Sequence, residues 1–261
     1  MSGSMRLGDG ARLMRASLDV VRANPALLWF PLASTLCLLL VTLFWIFEGA
    51  WLYAVSGPWV LFVPLVLVGV YSLTFVGIFF NVALAGAADG ALEGQQPSFE
   101  EAFSLAWSRI GPIAGWAAWS LTVSLAIALF ESFKGLKWVG RAAQVAWSFA
   151  TFFVIPLIAV EGIPAGEARR QSMSLAKAEW QEEAGGLGAL RLALLVPGLL
   201  FYLDARLLFS GHAHSPAAKA MLVLGLLCGF ALSMGVSTIR QVFAVSLYRR
   251  SPAGASTTLA A

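Results

Sequence analysis

The chain has 261 residues, of which 59% are hydrophobic and 12% charged, with 17 basic against 14 acidic side chains. Soluble domains carry about 25% charged residues, so these charges are too few to coat a globule in water, and a mean hydropathy of +0.80 points to a bilayer instead. A net charge of +3 is what membrane topology alone would leave, and no nucleic-acid partner is expected from it.

Taken in chain order, the first ten residues read as disordered and residues 11–250 as one all-α domain. Arg12, Arg15, Asp19 and Arg22 fall on one helical face, with Leu13, Val20 and Val21 elsewhere. That is the pattern of an amphipathic helix lying in the interface plane. The neutral run from Ala23 to Phe47 follows as a first span. It is too long for the apolar core of a cleaved signal, which is about 7–15 residues. The next run, Gly49 to Ala88, exceeds one crossing; Gly57-Pro58 breaks it and leaves Trp59 to Ala88 as the second span. Phe99, Phe103, Trp107 and Ile110 then form an apolar stripe opposite Glu100, Glu101, Ser104 and Ser108, a second in-plane helix.

Ile110 to Phe130 and Ala142 to Val160 are the third and fourth spans, each near the ~20 apolar residues that a crossing needs. A weaker third in-plane segment sets Met173, Ala176 and Trp180 against Arg170, Ser174 and Lys177. Leu187 to Phe209 is the fifth span, kinked at Pro197-Gly198, with Arg191, Asp204 and Arg206 toward its ends where long side chains snorkel. Ala220 to Ile239 is the sixth, and residues 251–261 read as a disordered tail.

The expected architecture is therefore a polytopic bundle of six transmembrane helices, with short amphipathic helices on one side. Of the 17 basic residues, twelve flank the spans on the side that holds both termini and five lie on the other. The positive-inside rule puts both termini in the cytoplasm, with the chain in the plasma (inner) membrane. The unit "in-plane helix plus hairpin" recurs three times. The ends of the second and fourth spans echo each other, Phe79-Phe80 leading to Asp89-Gly90 and Phe152-Phe153 to Glu161-Gly162.

The candidate site is a polar cluster at the ends of the even-numbered spans: Asn81, Asp89, Glu161, Arg170 and Arg240, with Gln241 beside the last. Ionisable groups are costly in a membrane and mark function or a clasp. The expected clasp pairs Glu161 with Arg240, since both end neutral runs of similar length; an arginine of an in-plane helix is the other choice. His212 and His214 share a loop near Asp204 but lack further ligands, so no metal is expected. Cys37 and Cys228 fall inside spans as small hydrophobes. Gly111/Gly115, Ala83/Ala87 and Gly225/Gly229 are small pairs suited to close helix packing. Trp29, Trp45, Trp51, Trp59, Trp138 and Trp147 read as an interface belt.

No phosphate loop, zinc-protease motif or nucleophile elbow is present, and no span holds a histidine to serve as a base. No enzyme activity and no cofactor are expected. The best functional reading is a scaffold, accessory or membrane-organising protein whose company is the lipid bilayer and a protein partner or second copy. The alternative is a transporter or channel for a lipid or small solute, suggested by the repeated hairpins and by Pro64, Pro156 and Pro197.

The stretch from Trp147 to Pro156, then Glu161-Gly162, Glu167-Ala168, Ser172 and Trp180, resembles a family of six-span prokaryotic membrane proteins known as domain of unknown function 6159. Phe30-Pro31-Leu32 and Asn81-Val82-Ala83-Leu84 fit it less specifically, and Gln181 stands where a glycine is expected. The resemblance implies a six-helix membrane fold. It extends distantly to the membrane domain attached to some glycerophosphodiester phosphodiesterases, a domain that carries no catalysis.

Overall fold

The computed structural model describes residues 3–55, 57–133, 135–209 and 216–251, with the backbone alone for 3–11, 178–194, 209, 216 and 217. His212, His214, Lys134 and the tail from residue 252 lie outside the described residues. The described chain is helical throughout: α1 (Gly3–Ala23), α2 (Trp29–Ala54), α3 (Phe62–Leu92), α4 (Phe99–Ser108), α5 (Ile110–Ser132), α6 (Lys137–Ala150), α7 (Val154–Val160), α8 (Ala165–Phe209) and α9 (Pro216–Arg250). Among the described residues five segments are long and apolar enough to cross a membrane: Pro25–Ala54, Trp59–Leu92, Ile110–Ser132, Lys137–Val160 and Ala218–Arg250. The chain is an all-α membrane protein.

Helix ends follow local chemistry. Pro25 disfavours the helical region for Asn24, which sits at φ −126°, ψ 71° and ends α1. The Ser98 hydroxyl accepts the Glu101 amide at 3.3 Å and starts α4. Gly94, at φ +84°, closes α3 by turning the Gln95 amide back onto the Gly90 carbonyl at 3.0 Å. α1 begins at Gly3, so the helix takes in most of the first ten residues, which the sequence reads as disordered. A helix docked over its C-terminal half extends at the low cost of one hydrogen bond per residue fixed.

Two other expectations change. The third in-plane segment and the fifth span form one continuous helix, α8, of 45 residues, about 68 Å long. Its first turns bury Ala168, Ser172, Leu175 and Ala176, while Met173 of the expected stripe is exposed. The fourth span, in contrast, is interrupted: α6 ends at Ala150 and α7 starts at Val154. Pro156 has no amide to give the Phe152 carbonyl, so one helical hydrogen bond is missing at this point.

The core lies at one end of the molecule. Phe79 to Ala91 of α3, Val154 to Ala159 of α7 and Val242 to Tyr248 of α9 supply most of its buried side chains, with Ile113 and Trp116 of α5. α1 lays Leu13, Ser17 and Val21, spaced at four residues, onto α8 and α9 and leaves Arg12, Arg15 and Arg22 outward. α4 docks on α3 through Ala102 and Ala106; its stripe of Phe99, Phe103 and Trp107 stays open and stacks in series at 6.2 and 6.4 Å.

From this hub three hairpins extend as arms: α2 with α3, α5 with α6, and α8 with α9. In each the outer part buries one stripe only, the one facing its own partner. On α9 this stripe is half-buried Ala218, Leu222 and Gly225 with buried Gly229, and Val223, Leu224 and Leu227 are open. Each arm closes by laying a large side chain on a glycine. Trp45 lies on Gly69 and donates to the Ser72 hydroxyl at 2.7 Å, Glu131 lies on Gly140, and Asp204 and Phe201 lie on Gly225 and Gly229. The Gly225/Gly229 pair thus serves packing within its hairpin. Of the six belt tryptophans, Trp29, Trp51, Trp59 and Trp138 are open, whereas Trp45 faces its arm and Trp147 stacks on Trp116 at 5.7 Å.

Candidate functional site: the interrupted helix in the hub

Breaking a helix frees backbone groups that must find partners when water is absent. At the interruption the Phe152 amide bonds the Phe149 carbonyl at 3.2 Å, and the Val154 amide bonds the Thr151 carbonyl at 3.2 Å. The amide of Phe153 bonds no backbone carbonyl among the described residues. Ser172 of α8 supplies the missing partner: its hydroxyl accepts the Phe153 amide at 3.1 Å and donates to the Ala150 carbonyl at 2.7 Å. The Ser172 side chain is fully buried, and one hydroxyl joins both sides of the gap. Phe152, Phe153 and Val154 are buried too, so the break is dry.

Past α7 the chain turns at Gly162, φ +67°, a conformation that favours glycine. The Arg109 guanidinium lies where a Cβ would stand, with a nitrogen 2.0 Å from that position. Glycine is therefore favoured by the backbone, and any larger residue would also have to displace the arginine. The Arg109 Nε is buried with no hydrogen-bond partner among the described residues.

The expected polar cluster is brought together only in part. Glu161 accepts a short hydrogen bond from the Tyr248 hydroxyl of α9, and Tyr248 is wholly buried. Its partner is thus not Arg240. Tyr248 lies eight residues, about 12 Å, further along the helix. The expectation equated the end of a neutral run with a common depth, but α9 continues past Arg240 into the hub. Asp89 pairs with Arg249, Nε to Oδ1 at 3.5 Å; the same guanidinium donates to the Asp89 carbonyl at 3.1 Å and to Glu93. One arginine thereby binds the C-terminal end of α3 to the end of α9, where a cation also suits the helix dipole.

Asn81 donates to the Gly77 carbonyl at 2.8 Å and lines a cleft between α2, α3 and α9. Arg170 stays local on α8, bonded to Glu167, and its guanidinium holds the Glu167 carboxyl below the usual carboxylate range. Arg240 is exposed and forms no ion pair or hydrogen bond among the described residues. Three residues central to this geometry, Tyr248, Arg249 and Arg109, are not in the cluster read from sequence. Tyr248 and Arg249 follow the sixth neutral run and look like an exposed flank; Arg109 looks like a boundary charge.

Residues 55–258 match the family of unknown function DUF6159, and the chain belongs to that family. No curated protein and no solved structure matches it. The match spans the interrupted helix, its Ser172 bridge, the Gly162 turn and the Tyr248 hydroxyl.

Proposed function

We propose that this DUF6159 protein is a non-enzymatic membrane scaffold: a rigid hub that holds three apolar arms apart so that a partner's transmembrane helix packs against them. The observation that carries this reading is the one-sided burial of the arms. Open apolar faces alone require no protein partner, because lipid tails are as apolar as leucine. What distinguishes these faces is open glycine. A Cβ at Gly77 of α3, Gly198 of α8 or Gly235 of α9 would meet nothing within 4 Å. Glycine costs a helix roughly 1 kcal/mol against alanine, and the packing among the described residues does not use these three. Small residues on an open face are what lets a second helix approach closely.

A photoreactive amino acid at Leu199 or Leu227, both open, tests this in intact membranes. A discrete crosslinked species is expected, lost when Gly198 becomes leucine. Two differently tagged copies distinguish a homo-oligomer from another protein. Monomer carrying lipid adducts alone removes the reading.

The proposed topology has six spans, the second half of α8 being the additional one, with the hub on the cytoplasmic face of the plasma membrane. A reporter after Arg250 is expected inside and a tag between His212 and Ser215 outside; the same side for both would overturn this.

A transporter for a lipid or small solute is the second reading, and the interrupted fourth span favours it, since carriers place sites at broken helices. The dry closure of that gap by Ser172 weighs against a permeation path there. Lipid scrambling or solute flux in proteoliposomes above that of empty vesicles would support the carrier reading.

A further inference from the structure

The cleft beside Asn81 has a volume of about 170 Å³ and lies where the α2–α3 and α8–α9 arms leave the hub. Its polar lining comes from three helices: Ser34 and Thr35, Asn81, and Ser233 and Ser237. The Thr35 and Ser233 hydroxyls donate back to their own helices, to the Pro31 carbonyl at 2.8 Å and the Gly229 carbonyl at 2.8 Å. Ser34 and Ser237 form no hydrogen bond among the described residues, and Asn81 keeps a second amide proton beyond its bond to Gly77. The lining therefore offers three free donors and includes no carboxylate.

Arg240 stands on the same side of α9. Ser233, Ser237 and Arg240 are spaced i, i+4 and i+7, and side chains on a helix lean toward its N-terminus, here toward Ser237. Its guanidinium has no acidic partner among the described residues, although it closes a neutral run of 20 residues. A charge at that depth, about 30 Å along the helix from the start of the run, sits at the edge of the hydrocarbon. There an unpaired arginine is unfavourable unless an anion comes to it. The remaining walls, Phe30, Leu84 and Met234, are apolar, and half-buried Leu38 on α2, one turn beyond Ser34, and open Phe230 on α9 continue them along the arms.

We infer that this cleft binds the headgroup of an anionic phospholipid, with the phosphate between Arg240 and the Ser34, Ser237 and Asn81 donors and the acyl chains along α2 and α9. The site does not depend on what the arms hold. Its failure would leave the crosslinking result untouched, and the reverse.

The test uses full-length protein in a zwitterionic detergent, titrated with dioleoylphosphatidylglycerol, dioleoylphosphatidylcholine or inorganic phosphate. Native mass spectrometry reads lipid retention, and thermal unfolding reads stabilisation. Phosphatidylglycerol is expected to be retained about ten-fold more than phosphatidylcholine and to raise the Tm, the selectivity of a charge-assisted hydrogen bond. Arg240→Gln and Ser237→Leu each remove that preference, Arg240→Lys keeps part of it, and Arg15→Gln on the outward face of α1 leaves it intact. Equal retention of the two lipids, or undiminished phosphatidylglycerol on Arg240→Gln, overturns the site. Stabilisation by inorganic phosphate that also displaces the lipid overturns the lipid assignment in favour of a free anion.

Discussion

At the hub end of this protein Phe153, Val154, Phe243, Val245 and Tyr248 are closed off completely; at the arm end of α9 Val223, Leu224 and Leu227 are more than half exposed. The two regions are equally apolar in sequence. In water the arms would collapse onto one another, because burying each leucine contributes about 1.5–3 kcal/mol. Within a bilayer that driving force vanishes, and helices stay together only where shape or hydrogen bonds hold them. The hub has such contacts in the Ser172 bridge, the Tyr248–Glu161 bond and the Arg249 clasp. The arms have glycine contacts within each hairpin and, in the first, the Trp45–Ser72 hydrogen bond, and otherwise solvate in lipid. Packing, not hydrophobicity, therefore separates the part that defines the fold from the part that is free to meet partners.

The comparison breaks most visibly on large-to-small substitutions. Phe243 is fully buried and meets Phe152 edge-on at 6.1 Å. Phe243→Ala is expected to lower stability by about 3–5 kcal/mol, the usual cost of emptying a packed aromatic site. Leu227→Ala, on an open arm face, is expected to stay within about 0.5 kcal/mol. Chemical denaturation of both variants in the same detergent measures the contrast. Similar losses would mean that the arms pack as tightly as the hub.

A smaller effect sharpens the picture at the interrupted helix. Ser172→Ala leaves the Phe153 amide and the Ala150 carbonyl unpartnered in a dry site, a cost of about 1–3 kcal/mol. Backbone amide exchange should rise at Phe153 and remain unchanged in α9 near Leu227. Exchange that rises in both places would show the bridge holding the whole assembly rather than one gap.

Five of the six expected spans coincide with segments long and apolar enough to cross a membrane, because a bilayer demands long neutral runs, and Gly57-Pro58 marks the turn between the first two. The interruption at Thr151–Phe153 was not legible. Pro156 alone is compatible with a kink, and what permits a full break is a hydroxyl 19 residues further along, Ser172, placed by the tertiary fold. The continuity of α8 was hidden for the opposite reason: its first turns carry enough charge to read as a separate surface helix, yet they bury Ala168 and Ser172 in the hub. Of the candidate cluster, Asp89 and Glu161 each meet a residue of α9, Arg249 and Tyr248. Their partners could not be named, because equal run length says where a helix leaves the hydrocarbon and nothing about how far it continues beyond.

The smallest expected effect lies at Glu161. Two residues of α9 competed for Glu161: Arg240, which charge would choose, and Tyr248, which the fold supplies. If the hub is held by the contacts that bury its own side chains, Tyr248→Phe removes the hydrogen bond to Glu161 while keeping the ring. The Glu161 side chain remains half-buried and can recruit water, so the loss should fall near the lower end of the range for bonds to charged groups, about 1.5 kcal/mol. Arg240→Gln, by the same logic, removes a charge that holds no protein group, and without added lipid it should change stability by no more than about 0.5 kcal/mol. The double variant should equal the sum of the two, because residues without a shared partner do not couple. A coupling of 1 kcal/mol or more would restore Arg240 as a partner of Glu161. The charge at the end of the sixth neutral run would then belong to the hub and not to the lipid-facing side of the cleft.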